Sequence, residues 1–190
     1  SDKLFVAANA YAGTHETTFS VVRYGNVMGS RGSVIPFFMA KANTGVLPIT
    51  DTRMTRFMIT LEQGVELVWH AFDDMAGGEI YVKKIPSMNI VDIANAVSPA
   101  ATHKIIGTRP GEKIHEQMIG SEDAPHTFEY ENHFKILPAI HNWSSDPKRI
   151  NGGKPVPEGF TYISDTNTEW MDGTELQQWS SANRSKIGAI

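Results

Sequence analysis

A polar, glycine-rich turn separates a strand-like run from a helix-like run at residues 23–38, RYGNVMGSRGSVIPFF. Glycines let backbone N–H groups approach a ligand closely, and a helix that begins near Ser33 adds partial positive charge at its N-terminus. Arg31 supplies a full charge, and the amide of Asn26 can bond a sugar hydroxyl or a phosphate oxygen. The turn therefore suits an anion, although a plain structural turn explains the same residues when they are taken alone.

Two further segments carry charges that can bind phosphate or sugar. TDTRMTRF places Arg53 and Arg56 three residues apart, so in a strand they face opposite sides and do not form one clamp. TRPGEK is a proline-fixed turn in which Arg109 can bind phosphate and Glu112 can accept hydrogen bonds from ribose hydroxyls. An exposed, solvated charge is the ordinary alternative for each of these residues.

The sequence lacks the motifs of several classes of nucleotide-binding or catalytic protein. The turn at 23–38 has neither the Gly-Lys-Ser/Thr of a Walker loop nor Gly-x-Gly-x-x-Gly, and no Gly-x-Ser-x-Gly elbow occurs. The seven histidines form no metal-ligand pattern, because HEQMI at 115–119 lacks the second histidine of a zincin motif. We therefore expect no metal site, and we interpret the adjacent acids Asp73 and Asp74 as solvated groups near a helix end.

Composition narrows the classes of partner. The net charge of −4 over 190 residues gives no basic face for nucleic acid. No apolar run approaches the roughly 20 residues of a membrane span, and the N-terminus has no secretory signal pattern. The absence of cysteine excludes a disulfide scaffold and is compatible with a reducing cytoplasm. We expect no nucleic-acid or membrane partner, and the first residues read as the end of an amphipathic helix in the middle of a fold.

The elements that would position these residues alternate between strands and helices. Residues 17–25 are β-branched and aromatic, which predicts a buried strand, and Ser33 is predicted to cap a helix that ends near Gly45. The helix, glycine and strand order over 61–84 indicates an αβ unit of a parallel sheet. Further strands are predicted at LPIT, RFMIT, HKIIG and HTFEYENHFKILP, further helices at NIVDIANAV (capped by Asn89) and 173–179, and a turn with a helical or mixed segment at TRPGEKIHEQM.

Together and in this order, the three charged segments resemble the C-terminal part of the extended short-chain dehydrogenase/reductase family. Within it they are most similar to the inverting UDP-N-acetylglucosamine 4,6-dehydratases of pseudaminic-acid synthesis. The resemblance is dense up to about residue 120. It implies an α/β fold, in which the end of an NAD(P)-binding Rossmann domain comprises residues 1–25 and 59–84. A small α/β nucleotide-sugar-binding subdomain would comprise residues 26–58 and 85–190.

The resemblance also implies positions for the site. The substrate contacts carried over, with Arg56 and Glu112 added from charge and position, are Asn26, Arg31, Gly32, Ser33, Val34, Ile35, Thr50, Arg56, Arg109 and Glu112. Tyr24 and Val27 are expected beside the nicotinamide of NADP. No catalytic residue is expected in this chain, because the family's Tyr-x-x-x-Lys motif, dinucleotide loop and Asp–Lys pair all precede the match to SDKLF. Of the family's Asn-rich stretch before a Trp, this chain keeps Asn167.

The implied reaction is a redox-neutral loss of water. The sugar gives a hydride from C4 to NADP⁺, loses the C5 proton, expels the C6 hydroxyl, regains hydride at C6 and is reprotonated at C5 with inversion. The expected substrate is a UDP-sugar, the expected full-length state is a homo-oligomer, and the product would serve pseudaminic-acid or other surface-glycan synthesis, such as flagellin glycosylation. A retaining 4,6-dehydratase, a 4-epimerase and a non-catalytic nucleotide-sugar-binding module remain alternatives. We expect the 190-residue chain alone to be inactive.

Overall fold

The structure, a computed structural model, describes residues 2–11, 16–139 and 145–188. Its helices are α1 (Asp2–Tyr11), α2 (Val34–Lys41), α3 (Leu61–Asp74), α4 (Ile90–Val97), α5 (Pro147–Ile150) and α6 (Gly173–Ala182). Its strands are β1 (Val21–Arg23), β2 (Asn26–Val27), β3 (Val46–Ile49), β4 (Thr55–Ile59), β5 (Ile80–Lys83), β6 (Ser87–Asn89), β7 (Thr102–Ile105), β8 (Gln117–Ile119), β9 (Thr127–Glu129), β10 (His133–Ile136), β11 (Lys154–Pro155) and β12 (Tyr162–Ile163).

The chain divides into two compact units. Unit 1 comprises residues 1–24, 62–84 and 117–162, and unit 2 comprises residues 25–61, 85–116 and 163–190. The sequence-based division placed all of 85–190 in the nucleotide-sugar subdomain, whereas residues 117–162 pack within unit 1 because β10 pairs with β5. The functional meaning assigned to each range stays a prediction, and the assignments of residues 1, 12–15, 140–144 and 189–190 lie outside the described residues.

Unit 1 is built on a five-stranded sheet in the order β1-β5-β10-β9-β11. β1 and β5 are parallel, with Val22 opposite Tyr81, whereas β10 runs antiparallel to both β5 and β9. α3 packs on this sheet through Leu67 and Ala71, which form a small core with Tyr81. The parallel pair on either side of α3 confirms the αβ unit that the helix, glycine and strand order predicted.

Unit 2 packs its helices against short strand pairs, two of them parallel and one antiparallel. β2 is parallel to β4, β4 is antiparallel to β6, and β3 is parallel to β7. The core of this unit comes from α2, α4, α6 and the strands between them: Met28, Ile35, Phe38, Leu47, Ile49, Met54, Met58, Met88, Ile90, Ile93, Ala94 and Leu176. Apolar side chains from segments far apart in sequence thus fix the loops at the strand ends.

The strand predicted over residues 17–25 is wrong in extent, since only Val21–Arg23 is a strand there. Before it, the side chain of Asn9 satisfies the backbone of Phe19 at 2.8 Å and 2.9 Å, so a neighbouring strand is not needed. At Gly25 a Cβ atom would stand 2.5 Å from the Cβ and the carbonyl oxygen of Phe57. Only glycine permits this approach, and β2 begins directly after it.

Most other predicted elements are confirmed, and their caps explain why. The side chain of Asn89 accepts a hydrogen bond from the Val91 N–H at 2.8 Å, so α4 begins where its cap predicts. α6 begins at a capping box between Asp172 and Glu175 and continues to Ala182, beyond the predicted 173–179. Of the helical or mixed segment predicted after the TRPGEK turn, the helical alternative is wrong, because the chain there leads into β8.

Candidate functional site

A polar cluster of unit 2 joins the start of the glycine-rich turn to the segment before β8. The Asn26 amide nitrogen lies 3.0 Å and 3.1 Å from the two carboxylate oxygens of Glu116, in the amide orientation that hydrogen bonding requires. The Phe57 backbone N–H also donates to Glu116, at 3.4 Å. Asn26 itself is exposed, so the cluster places one face of this amide at the surface.

Arg56 anchors the segment that carries Glu116. Its guanidinium donates to the carbonyl oxygens of Thr55 at 2.7 Å, Lys113 at 3.1 Å and Ile114 at 3.0 Å. Its Nε atom stands 3.7 Å from Glu116, and 16% of the side chain is exposed. Because these carbonyls engage most of its N–H groups, the contacts give Arg56 a positioning role, and its predicted substrate contact stays a prediction.

Buried hydroxyl groups fix the same segment from behind. The Oγ1 atom of Thr55 lies 2.8 Å from the Nδ1 atom of His115 and 2.7 Å from the Oγ atom of Ser164. The Glu116 backbone N–H donates to Ser164 Oγ at 2.9 Å. The backbone of Glu116 is therefore held independently of its carboxylate.

Burial raises the pKa of the Glu116 carboxyl above its usual value. The charges of Arg56 and Lys113 and the Phe57 N–H act in the opposite direction. In contrast, the hydrogen bonds that Arg53 makes to Asp51 lower the pKa of that carboxyl to about 2. The two acids thus differ because burial dominates at Glu116, whereas hydrogen bonds from an exposed arginine dominate at Asp51.

The backbone of the glycine-rich turn makes a hydrogen bond within the turn, whereas the charged side chain of the turn is exposed. Ser33 N donates to Ser30 O at 3.0 Å, and Gly32 adopts φ +74° with open space around its Cβ position. Arg31 is exposed and has no bonding partner in the described part of the chain. The turn therefore leaves the positive charge of Arg31 in solvent close to the N-terminus of α2, an arrangement that suits an anion.

The start of α2 corrects two details of the prediction. Ser33 is the N-cap residue, as predicted, but its side chain makes no cap hydrogen bond and its Oγ atom is buried without a partner in the described residues. Ile35 is 1% exposed and its side chain lies in the unit 2 core, while Val34 is half-buried. A ligand contact at Ile35 would therefore use its backbone, and the ligand contacts predicted for Ser33, Val34 and Ile35 stay predictions.

Within unit 2, Thr50 and the TRPGEK turn both follow the carboxyl end of a strand, β3 for Thr50 and β7 for the turn. β3 and β7 are parallel, and the Ile106 N–H continues the ladder to Ile49 O at 2.9 Å, so both chains leave at the carboxyl end of this pair. Glu112 closes the turn, since its Oε2 atom accepts from the Arg109 backbone N–H at 3.0 Å. The Arg109 side chain is exposed, so only its backbone is committed to the turn.

The two residues predicted beside the nicotinamide lie in different units. Tyr24 follows β1 directly in unit 1, and its ring is 44% exposed. Ligands bind at the carboxyl ends of parallel strands in this class of sheet, so an exposed ring there fits a flat aromatic cofactor. Val27 is half-buried in β2 of unit 2. The predicted cofactor contacts of both residues stay predictions.

Sequence reasoning missed Glu116 and explained Asn167 only in part. HEQMI was considered as a metal motif, and no local signal connects its glutamate with Asn26, 90 positions earlier. Asn167 donates to Ile85 O and Glu169 O, each at 2.9 Å, which makes it a structural residue. Among the described residues, no group of three or more metal-binding side chains comes together, and no helix is both long and apolar enough to cross a bilayer.

The fold and this loop cluster define an α/β protein of the extended short-chain dehydrogenase/reductase type, which confirms the predicted fold class. The chain belongs to the family described as polysaccharide biosynthesis protein, whose model matches residues 1–138.

Comparison with individual relatives shows which members of this family the chain is similar to. A protein of Campylobacter jejuni subsp. jejuni serotype O:2, named UDP-N-acetylglucosamine 4,6-dehydratase (inverting), is 54% identical over 183 residues, covering 93% of this chain and 55% of the relative. A UDP-glucose 4-epimerase of Rickettsia conorii is 39% identical over 163 residues, covering 83% and 46%. The X-ray structure of Pen from Bacillus thuringiensis matches with a TM-score of 0.82 and 30% identity, covering 96% and 54%. The resemblance to the dehydratases is confirmed, and the chain spans about half the length of these relatives.

Proposed function

We propose that the chain supplies the nucleotide-sugar-binding part of an inverting UDP-N-acetylglucosamine 4,6-dehydratase, a hydro-lyase. The observation that carries this proposal is the 54% identity to a relative of that name over 93% of the chain. A 4-epimerase is the second candidate, because a relative with that name is 39% identical over 83% of the chain.

The open charges of unit 2 support a diphosphate ligand. Arg31 and Arg109 are exposed, and each lies in a turn whose backbone already makes hydrogen bonds within the protein. A nucleotide diphosphate carries negative charge, which can pair with the positive charge of both arginines. Charge-assisted hydrogen bonds of this type are stronger than neutral ones. Asn26, the backbone at 32–35, Thr50 and Glu112 complete the proposed contacts, with Arg56 holding the segment behind them.

Binding at the diphosphate would orient the reacting hexose from a distance. Remote contacts fix the position of C4, C5 and C6 without touching them, which lowers the entropic part of the barrier. We propose a nicotinamide dinucleotide, specifically NADP, as the cofactor beside Tyr24 and Val27; when bound it supplies the hydride chemistry. No proton transfer is assigned to a residue of this chain.

We further propose that the complete protein works in the cytoplasm as a homo-oligomer and that its product serves pseudaminic-acid or other surface-glycan synthesis, such as flagellin glycosylation. The absence of cysteine is compatible with a reducing compartment. The polysaccharide biosynthesis family supports the glycan assignment.

The test is product analysis with the complete natural protein. UDP-N-acetylglucosamine and NADP⁺ are incubated with the protein, and the sugar is followed by NMR. A 4-keto-6-deoxy product with C5 inverted is expected. Retention at C5 would indicate the retaining dehydratase, a change at C4 alone would indicate the epimerase, and binding without turnover would indicate the non-catalytic module.

A further inference from the structure

Two histidines of unit 1 face each other in a cavity between α3 and the sheet. The Nε2 atoms of His70, on α3, and His133, on β10, lie 3.3 Å apart. The ring centroids are 4.4 Å apart, so the two rings converge toward their Nε2 atoms. Both residues line a cavity of about 470 Å³, and His70 is exposed, so solvent reaches the pair from the side of the helix. The sequence does not reveal the pair, because its members are 63 positions apart.

Neighbouring side chains orient both rings. His133 lies opposite Lys83 in the pairing of β10 with β5, and its ring stacks on that of Tyr130 with 3° between the ring planes and 4.5 Å between the centroids. The ring of His70 meets the ring of Tyr81 edge-on at 5.7 Å. Because the rings are already oriented, a ligand that bridges them costs little further conformational entropy.

The spacing of the two nitrogens matches that of two ligands on one tetrahedral metal ion. Zinc–nitrogen bonds of about 2.0–2.1 Å at the tetrahedral angle separate two imidazole nitrogens by about 3.3–3.4 Å. A hydrogen bond between the imidazoles is the alternative, but 3.3 Å is longer than the roughly 2.7–3.2 Å that is usual for a protein N–H donor. An imidazole nitrogen without a proton carries a lone pair, so a cation can bind both nitrogens at once.

The charges around this cavity favour a cation. The carboxylates of Glu66 and Glu131 line it together with the ammonium group of Lys83, so negative charge exceeds positive charge while both histidines are neutral. Glu66 stands four residues before His70 on α3, which places the two side chains on the same face of the helix. The acids thus support a positive ion at the histidine pair electrostatically.

We propose that His70 and His133 together bind a divalent transition-metal ion, Zn²⁺ in the first place, which joins α3 to β10. Imidazole nitrogen suits zinc, nickel and copper, whereas magnesium and calcium prefer oxygen ligands. Two protein ligands leave the other coordination positions to water, so the affinity is lower than that of a closed structural zinc site. The inference goes beyond the proposed function, because no nucleotide sugar or cofactor takes part in it.

The test is calorimetry of Zn²⁺ binding to the complete natural protein after treatment with a chelator. We expect binding in the micromolar range. His70→Gln should weaken it by about tenfold or more, since even groups that only orient a metal ligand contribute that much. Its metal-free melting temperature should stay close to that of the wild type, because His70 is exposed. His126→Gln removes a half-buried histidine of the same unit outside the cavity and should bind Zn²⁺ like the wild type.

Thermal unfolding gives a second readout of the same ion. An ion that binds only the folded protein raises the melting temperature as its concentration rises. Excess Zn²⁺ should therefore raise the melting temperature of the wild type by several degrees and that of His70→Gln by much less, and His133→Asn should lose Zn²⁺ affinity as His70→Gln does. Mg²⁺ should give no shift that depends on His70.

Three results would overturn the inference. They are a wild-type protein that binds no Zn²⁺, wild-type affinity in His70→Gln or in His133→Asn, and an equal loss of affinity in the His126→Gln control. Binding of UDP-N-acetylglucosamine to the chelator-treated protein tests the proposed function separately, so failure of one does not imply failure of the other.

Discussion

Unit 1 buries and pairs two of its charged side chains, whereas unit 2 leaves two arginines exposed. In unit 1, Lys135 is 2% exposed and bonds Asp74 at 2.7 Å, while Glu79, also 2% exposed, bonds Arg149 and the Gly77 N–H. In unit 2, Arg31 and Arg109 are exposed beside turns whose backbone bonds are already made. Charges that are buried and paired serve the fold, whereas charges left open on a fixed backbone are available to a ligand. The difference supports placing the ligand site in unit 2.

Removing a buried charge from unit 1 should give the largest effect. Lys135→Met leaves the half-buried Asp74 with only Tyr81 and Asn151 as hydrogen-bond donors, so the free energy of unfolding should fall by about 3–5 kcal/mol. Urea denaturation measures this change. Lys84→Met, which removes the outer pair with Glu129, should cost only about 1 kcal/mol. Equal losses in both variants would mean that burial does not distinguish the two pairs.

Removing an open charge from unit 2 should change binding and not stability. In the complete natural protein, Arg109→Ala should weaken UDP binding about tenfold or more, because charge-assisted bonds contribute roughly 1.5–3 kcal/mol. Its melting temperature should stay unchanged, since the side chain is exposed. Arg184→Ala, another exposed arginine of unit 2, is the control for calorimetry. Unaltered UDP affinity in Arg109→Ala contradicts the assignment.

The half-buried His133 of unit 1 should make the stability of the protein depend on pH. Burial, with help from His70 and Lys135, lowers the pKa of His133 to about 4, whereas an unfolded histidine titrates near 6.5. Between these values the unfolded chain binds the proton and the folded chain does not, so stability falls as pH drops through this window. We expect about 1–2 kcal/mol less stability at pH 5 than at pH 7, after allowance for solvent. His133→Phe should remove this part of the pH dependence in urea denaturation, and an unchanged difference excludes His133 as its source.

The smallest expected effect is that of Asn26→Ala. This variant loses one neutral hydrogen bond to the ligand, so turnover should fall by a few-fold to about tenfold. The circular dichroism spectrum should stay intact, because β2 is held by its backbone pairing with β4. An unfolded Asn26→Ala protein would show instead that this turn is structural.

What the sequence predicted depended on local signals. α4 and its Asn89 cap, β3, β4 and the order around α3 follow from periodicity, capping and glycine positions within a few residues. The orientation of Asn26 does not, because Glu116 reaches it only through the fold of unit 2. Asp74 was interpreted as solvated for the same reason: its partner Lys135 is 61 positions away.

Tertiary packing also determines which apolar side chains are buried, and the sequence pattern alone does not predict this. Val65 and Phe72 are apolar residues at helical spacing on α3, yet they are 46% and 61% exposed, because Leu67 and Ala71 form the contact with the sheet. Ile35 was predicted as a ligand contact, but its side chain is in the core and leaves only its backbone for that role.

The most direct test of the unit 2 site is a crystal structure of the complete natural protein with UDP-N-acetylglucosamine. We expect the guanidinium groups of Arg31 and Arg109 to lie within hydrogen-bond distance of diphosphate oxygens, with the backbone of residues 32–35 facing the same ligand. A nucleotide sugar bound with both arginines still in solvent would contradict the assignment of these open charges to the ligand.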